Sequence, residues 1–357
     1  MSEARRPSLE ACGLRVRRVS RRNCFELRVD ALSLDPGELL AVIGPNGAGK
    51  TTLLQALAGL LPLEAGELRF ADAQPPVLVF QRPIALVGSV AHNVRSALRG
   101  ARLERAAVAA RVTEALAHFG IAELAQRRAH GLSGGELRRL ALARAFARRP
   151  SALLLDEPFE DLDRAAQDGL IDDLERVTRR AGLAVALVTH DLRRAVRVAD
   201  RLAVLREGRL EQIGALDEVL QRPGSPRIAR LVGMTNLLPG VARPAPSGLA
   251  VDVDGEHCIE TRAPPGAFAP GAPVWAGLRP EHIKIDIGRG AGVPIGKGAV
   301  ERVRSDGALC TVALRWSGHE IQAHLVAGRG LARTIAAGDG VLLSVRPEDV
   351  HVLPREA

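Results

Sequence analysis

The chain contains 357 residues, which favours two domains over one because a domain averages about 150 residues. Hydrophobic residues form 46% of the chain and charged residues 25%, a globular composition that excludes a fibrous or mostly disordered protein. No apolar run reaches the roughly 18 residues that a membrane-spanning helix needs, and the polar N-terminus lacks the apolar stretch of a secretory signal. We therefore expect a cytoplasmic protein.

The formal net charge of +8 points towards nucleic acid or an anionic surface as a partner. Three observations favour a compositional bias instead. Nearly all of the 49 Lys and Arg residues are arginines, they are spread along the chain among many alanines, and aromatic residues make up only 3%. Surfaces that bind nucleic acid usually interleave aromatic with basic side chains. We predict that nucleic acid is not a partner.

The cysteines are scattered at Cys12, Cys24, Cys258 and Cys310. They form no C-x-x-C pair and have no neighbouring histidine at the spacing of a metal site. We expect four free thiols in a reducing compartment.

Up to about residue 220, short apolar runs alternate with longer helical patterns, which is typical of a parallel sheet covered by helices. An alanine-rich and arginine-rich helical pattern over residues 90–119 predicts a helical subdomain, about residues 85–150, inserted between two strands. The predicted strands of the sheet are residues 39–43, 77–80, 152–155, 184–188 and 202–205.

Two prolines and a glycine interrupt the pattern at residues 222–226, and we place a domain boundary near Thr235. Residues 236–357 consist of short β-rich segments separated by glycines and prolines, which predicts a small all-β barrel. The hexapeptide L-R-P-E-H-I at residues 278–283 returns as V-R-P-E-D-V at residues 345–350. This echo predicts a pseudo-repeated β unit.

A phosphate-binding motif follows the first apolar strand. Residues 44–51 fit G-x-x-x-x-G-K-[ST], between strand 39–43 and a helical run from residue 52. In this motif backbone N–H groups and the helix N-terminus bind phosphates, the lysine reaches the β- and γ-phosphates, and the hydroxyl holds Mg²⁺. The predicted nucleotide-binding residues are Gly44, Pro45, Asn46, Gly47, Ala48, Gly49, Lys50, Thr51 and Thr52.

Two acidic residues end the strand at 152–155. A buried strand that delivers a carboxylate at its C-terminal end is how a P-loop enzyme holds its metal, so Asp156 is the predicted Mg²⁺ ligand. Glu157 is next to it and can polarise the attacking water as a general base, a role that contributes a factor of about 10² to 10⁴.

Between these motifs lies L-S-G-G-E at residues 132–136, at the start of a predicted helix. Ser133 and Glu136 form an S-x-x-E capping box. A cap does not require the two glycines, Gly134 and Gly135. They let backbone N–H groups and the serine hydroxyl approach an anion at the helix N-terminus.

The order of these three motifs resembles the nucleotide-binding subunit of ATP-binding cassette (ABC) transporters, over about residues 12–235. The resemblance implies an α/β fold, a P-loop NTPase cassette with a helical subdomain, that binds ATP and Mg²⁺. It implies that Gln81 senses Mg²⁺, water and the membrane partner, that Asp163 crosses a dimer interface and that His190 contacts the γ-phosphate. Glu157, His190 and Gln81 are then catalytic, and Thr51, Gln81 and Asp156 are the metal residues.

The resemblance also implies a head-to-tail homodimer, in which Ser133 and Gly135 of one subunit close over the phosphates that Lys50 of the other subunit holds. Two positions depart from the family pattern. Arg21, Arg22 and Asn23 stand where an aromatic residue usually stacks on adenine, so either Phe25 or Arg22 takes that role. Asp161 stands where a small residue is common.

Residues 236–357 resemble the C-terminal TOBE/MOP-like, OB-fold regulatory domain of importer ATPases. This resemblance implies integral membrane permease subunits and an extracellular or periplasmic solute-binding protein as partners, and a place at the cytoplasmic face of the inner membrane. The imported solute most similar to this pattern is molybdate or tungstate, with ferric iron, polyamine, sulfate or sugar as alternatives. A soluble ABC ATPase acting on nucleic acid or ribosomes, and an anion-sensing regulator, are two further classes.

Overall fold

The computed structural model describes residues 6–19, 24–71, 75–246, 248–286 and 292–355. The chain divides into two compact units, Met1–Leu216 and Asp217–Ala357. Within the described ranges, no helix has both the length and the apolar character needed to cross a membrane.

The first unit is a nine-stranded sheet with helices. The strand order is β4-β1-β2-β9-β8-β3-β7-β6-β5. The five adjacent strands from β8 to β5 in this order all run parallel to one another. The strands are β1 (Leu9–Val19), β2 (Cys24–Leu34), β3 (Leu39–Ile43), β4 (Ala65–Phe70), β5 (Val77–Val79), β6 (Ala152–Asp156), β7 (Ala184–Thr189), β8 (Arg201–Arg206) and β9 (Arg209–Ala215). The helices are α1 (Lys50–Leu57), α2 (Val90–Ala97), α3 (Arg105–His118), α4 (Gly134–Ala147), α5 (Arg164–Ala181) and α6 (Leu192–Val198).

The five predicted strands form the parallel part of this sheet. Every residue of β3, β6 and β7 is buried, as expected for unbroken apolar strands that are covered on both faces. The remaining strands β1, β2, β4 and β9, which pair mostly antiparallel, were not predicted. They mix apolar residues with charged ones, and only β1 and β2 contain fully buried positions, so none of the four has a continuous apolar run.

The predicted helical subdomain is present as α2, α3 and α4. Its core includes an edge-to-face contact between Phe119 and Phe146, whose ring centroids are 5.9 Å apart. Asp173 of α5 is buried and binds Arg139 of α4 at 2.8 Å, while Arg176 binds both Asp173 at 3.1 Å and the last carbonyl of α3. This paired carboxylate joins three helices, because a buried charge requires partners.

The second unit contains two five-stranded sheets around one core, which agrees with the predicted all-β barrel. A buried amide joins the sheets: Asn236 Nδ2 donates to Gln322 O at 2.9 Å, and Gln322 N donates to Asn236 Oδ1 at 2.7 Å. The elements are α7 (Leu216–Gln221), α8 (Pro226–Leu231), β10 (Asn236–Ala245), β11 (Gly248–Asp252), β12 (Cys258–Thr261), β13 (Pro273–Leu278), β14 (Lys284–Asp286), β15 (Val293–Asp306), β16 (Leu309–Trp316), β17 (His319–Val326), β18 (Gly340–Val345) and β19 (His351–Pro354).

The two R-P-E segments have the same conformation. Each follows a six-residue strand, forms a 3₁₀ turn at Pro280–His282 or Pro347–Asp349, and leads into a shorter strand. Strand β13 pairs with β19, and β18 pairs with β14. The two copies therefore exchange their second strands between the sheets, as a pseudo-repeated β unit does.

The two units divide after Leu216, whereas the sequence break at residues 222–226 places the domain boundary near Thr235. The reason is that α7 and α8 are bonded to the barrel. Arg279 donates to Leu220 O at 2.6 Å and to Val232 O at 2.9 Å, and His351 Nε2 lies 3.0 Å from Pro223 O.

Candidate active site

The P-loop connects the buried strand β3 to helix α1. Gly47 and Gly49 have φ of 80° and 103°, a conformation that favours glycine. A Cβ on Gly49 would lie 2.4 Å from the Phe25 ring, and a Cβ on Gly44 would lie 2.1 Å from Leu205 O. These positions accept only glycine without rearrangement, so the motif has the tight turn that phosphate binding requires.

Lys50 is buried inside its own loop. Its Nζ donates to Gly44 O at 2.8 Å and to Pro45 O at 3.2 Å. Burial lowers the pKa of the ammonium, and the nearby carboxylates of Glu157 and Asp156 oppose that shift. The cation is thus held inside the P-loop, against the carbonyls of Gly44 and Pro45.

Thr51 and Asp156 bring two oxygen donors together. Thr51 Oγ1 donates to Asp156 Oδ1 at 3.3 Å, and Asp156 ends the buried strand β6. Burial raises the pKa of this carboxyl, while the hydrogen bond from Thr51 opposes the shift. No group of three or more His, Cys, Asp or Glu among the described residues could hold a metal, but Mg²⁺ needs only one or two carboxylates together with phosphate oxygens and water. The donor set fits Mg²⁺.

Glu157 lies beside this pair in a left-handed conformation, φ 43°. Its N–H donates to Val188 O at 3.1 Å, and its Oε1 lies 3.0 Å from His190 Nδ1. Its Oε2 is buried and has no hydrogen-bond partner among the described residues. A left-handed non-glycine residue costs of order 1–3 kcal/mol and is typical of functional sites. The free oxygen is the acceptor that a general base needs.

One pocket of about 570 Å³ gathers most of the predicted residues. Gln81 enters it from the end of β5 and contacts Glu160 with its amide. Phe25 enters it from β2, beside Gly49, whereas Arg21, Arg22 and Asn23 lie outside the described residues. The lining residues are Arg18, Phe25, Asn46, Gly47, Gly49, Lys50, Thr51, Thr52, Gln81, Asp156, Glu157, Glu160 and His190.

The L-S-G-G-E segment does not line this pocket. Ser133 and Glu136 form the predicted capping box, with Ser133 N donating to Glu136 Oε2 at 2.7 Å and Glu136 N donating to Ser133 Oγ at 3.3 Å. Ser133 and Gly135 face a separate hollow of about 260 Å³ against the first turn of α5. Asp163 caps that helix, accepting from Ala166 N at 2.8 Å.

Two arginines of the site were missed. Arg18 of β1 lies in the pocket and donates to Thr52 Oγ1 at 3.5 Å, and no sequence signal marked it because β1 was not predicted. Arg138 of α4 is buried and donates to Phe80 O at 3.1 Å and to Gln81 O at 2.6 Å. The sequence did contain a sign of it, because Arg138 is a charged residue on the same helix face as the apolar Leu142 and Ala145.

Asp161, which stands where a small residue is common, takes the left-handed conformation, φ 59°. Aspartate is one of the few non-glycine residues that enters the left-handed region readily.

Comparison with known proteins gives two family matches: the ABC transporter family over residues 27–160 and the TOBE domain over residues 276–353. The chain is 34% identical to a spermidine/putrescine import ATP-binding protein of Pseudomonas aeruginosa, over 91% of both chains. It is 35% identical to a sulfate/thiosulfate import ATP-binding protein of Xanthomonas campestris, over 94% of this chain and 98% of that protein.

It is also 35% identical to a molybdate/tungstate import ATP-binding protein of Thermococcus kodakarensis, over 73% of this chain and 79% of that protein. Among solved structures, cbiO1 of Clostridium perfringens, part of an ABC transporter complex, matches with a TM-score of 0.53 and 27% identity, over 63% of this chain and 98% of that one. The chain therefore belongs to the ATP-binding subunits of ABC importers, ATP hydrolases coupled to transport, and carries a C-terminal TOBE domain.

Proposed function

We propose that the chain works as a Mg²⁺-dependent homodimer at the cytoplasmic face of the inner membrane, where it drives a permease that imports an oxyanion, with molybdate or tungstate as the first candidates. A solute-binding protein would deliver the solute to the permease from outside. The observation that carries the ATPase part is the pocket in which Lys50, the Thr51 and Asp156 pair and the Glu157 and His190 pair converge.

The hydrolytic roles follow from the hydrogen bonds of these groups. Glu157 Oε2 accepts a proton from the attacking water, while His190 keeps the carboxylate oriented through Oε1. Lys50 exchanges its two carbonyl partners for phosphate oxygens. Mg²⁺ held by Thr51 and Asp156 would supply further charge neutralisation for the β- and γ-phosphates, and Gln81 lines the same pocket.

The placement of Ser133 supports the homodimer. Its hydroxyl and the N-terminus of α4 are anion-binding groups, yet they line a hollow apart from the Lys50 pocket. A second copy in head-to-tail orientation would bring Ser133 and Gly135 to the phosphates, with Asp163 at the interface.

An exposed apolar segment supports the permease as partner. Ile84 and Val87 are 74% and 96% exposed, in the stretch that follows Gln81. Exposed apolar residues grouped beside a groove are typical of a protein contact. A groove of about 380 Å³, here called the Q-loop groove, is lined by residues 77–80 and 82–84, by Ala97 and by the α4 residues Ala141, Arg144, Ala145 and Arg148. Because the segment begins in the nucleotide pocket, it links ATP to the groove.

The names of the relatives support an oxyanion as the imported solute. Proteins of similar identity are named for sulfate/thiosulfate and for molybdate/tungstate, which are all oxyanions, and one that matches over 91% of the chain is named for polyamines. A hollow of about 500 Å³ in the second unit contains Arg262 and Arg279, but each pairs with a glutamate. Because one of these relatives is named for polyamines, polyamine import is the second candidate, ahead of ferric iron and sugar.

Replacing Glu157 with Gln tests the proposed base. We expect the Glu157→Gln variant to bind ATP normally and to lose about 10²- to 10⁴-fold in turnover, because the amide cannot accept the proton. It should also accumulate as an ATP-bound dimer in size-exclusion chromatography. The matched control is Glu160→Gln, an acidic residue of the same pocket, which should lose far less. Turnover within a few-fold of wild type in Glu157→Gln would contradict the proposal.

Replacing Asp156 with Asn tests the cost of holding the metal ligand in a buried site. Its folded-state pKa is raised above the unfolded value of about 4, so the folded protein binds more protons in that window and loses stability as pH rises through it. Without Mg²⁺ and nucleotide, Asp156→Asn should therefore melt above wild type at pH 7 and converge with it below about pH 4. A lower melting temperature at pH 7 would show that the carboxylate is well compensated. Added Mg-ATP should stabilise wild type only.

Phe25→Ala tests the adenine contact. We expect ATP affinity to fall by about 1–3 kcal/mol, the range for stacking of a base on an aromatic ring, while inorganic pyrophosphate binds as before. Arg22→Ala is the companion variant. Normal ATP affinity in Phe25→Ala together with weak affinity in Arg22→Ala would assign the stacking to Arg22.

Uptake by cells tests the substrate. Cells whose own copy carries Glu157→Gln should lose uptake of molybdate or tungstate, measured by elemental analysis, and keep uptake of labelled spermidine. The wild-type gene restored in the same cells is the control. Loss of spermidine uptake with normal oxyanion uptake would overturn the oxyanion assignment and support the second candidate.

A further inference from the structure

A basic hollow lies in the helical subdomain. It is lined by residues 97–103, Arg111, Arg148 and Arg149, none of which belongs to a nucleotide motif. It encloses about 530 Å³, within the size range of small-ligand sites. Its lining includes the loop between α2 and α3 and the C-terminal end of α4. Among the described residues no acidic side chain lines it, whereas five arginines do: Arg99, Arg102, Arg111, Arg148 and Arg149.

Unpaired arginines are common on the surface of this chain, so the convergence of these five is what requires an explanation. Arg148 donates to the carbonyl of Ala97, the last residue of α2, at 2.8 Å. Arg149 pairs with Glu114 at 3.3 Å. The side chains of Arg99, Arg102 and Arg111 have no hydrogen-bond or ion-pair partner in the part of the chain that the structure describes.

A charge balance shows that the fold does not neutralise this cluster. The C-terminal ends of α2 and α4 meet at the hollow, and each contributes about half a negative charge. Together with Glu114 they offset about two of the five positive charges. About three remain around one space. Like charges at this separation repel each other, so the arrangement favours an anion that carries several negative charges.

The backbone at Arg149 supports a binding role. Arg149 follows α4 in the left-handed conformation, φ 52°, and its N–H donates to Phe146 O at 2.9 Å, as at the glycine position of a Schellman motif. Glycine would remove the conformational cost there. An arginine in this position keeps a guanidinium at the hollow despite that cost.

We propose that this hollow is a second anion site, distinct from the nucleotide pocket, that binds a phosphate-bearing polyanion. Guanidinium groups bind phosphate oxygens with paired hydrogen bonds, and the five arginines supply many donors in a space large enough for more than one phosphate group. Ala97 and Arg148 line both this hollow and the Q-loop groove. An anion that draws Arg148 away from Ala97 O would therefore alter the wall of that groove.

Calorimetry with inorganic pyrophosphate tests the site on the full-length chain. All proteins carry Lys50→Ala, which removes the buried cation of the P-loop. Arg18 remains in the nucleotide pocket, so binding is assigned to the hollow only where substitution of an arginine of the hollow weakens it. We expect saturable binding that weakens as salt rises, and a loss of about tenfold or more in affinity with Arg111→Ala or Arg149→Gly. Arg95→Ala, an exposed arginine of α2 outside the hollow, should bind as the Lys50→Ala parent does.

Two further measurements make the outcome decisive. Thermal unfolding of Arg149→Gly should show unchanged or higher stability, because the left-handed residue becomes glycine, so lost binding in that variant reports the side chain. Sedimentation with vesicles of phosphatidylglycerol, compared with phosphatidylcholine, separates a lipid head group from a soluble phosphate as the source. Binding to either probe that depends on Arg111 and Arg149 supports the site. Failure of both probes to bind, or binding that Arg111→Ala and Arg149→Gly leave unchanged, overturns it.

Discussion

The register of three parallel strands determines the chemistry of the first unit. Strands β3, β6 and β7 end side by side: Ile43 pairs with Thr189, and Asp156 pairs with Val188. The next residues along each strand are therefore the P-loop, Glu157 and His190. A shift of one residue in this register would turn the acidic side chain away from the histidine, because side chains alternate along a strand. The buried apolar sheet thus holds charged groups within hydrogen-bonding distance at its edge.

The price of this arrangement is a pocket whose groups are incompletely satisfied in the single chain. Lys50 and Asp156 are buried, and burial shifts the pKa of each towards its neutral form. Glu157 has a buried oxygen with no partner among the described residues. Arg138 ties this pocket to α4, because it bonds the main chain at Phe80 and Gln81 from the helix that Ser133 caps. A movement of that helix therefore displaces Gln81.

The sequence predicts the parts of this site that local patterns encode. The central strands are apolar runs, and the glycines, Lys50 and the acidic pair stand in motifs with a known spacing, so their elements were found. Arg18 and the side-by-side placement of Phe25 and Gly49 depend on β1 and β2, whose alternating charged residues resemble an exposed helix or loop as much as a strand. Arg138 depends on packing between α4 and the residues after β5. The exchange of strands between the R-P-E segments is likewise a tertiary feature, although the repeat itself is visible in the sequence.

Charge balance distinguishes the arginines of the proposed second anion site from the many that composition supplies. Arg139 and Arg176 neutralise the buried Asp173, and Arg279 satisfies backbone carbonyls while pairing with Glu281, so these three are explained by the fold. The five arginines at the hollow between α2, α3 and α4 exceed the acids and helix ends that meet them. A general bias towards arginine accounts for the number of guanidinium groups in the chain. It does not account for a strained backbone at Arg149 that turns one more of them towards the same unneutralised space.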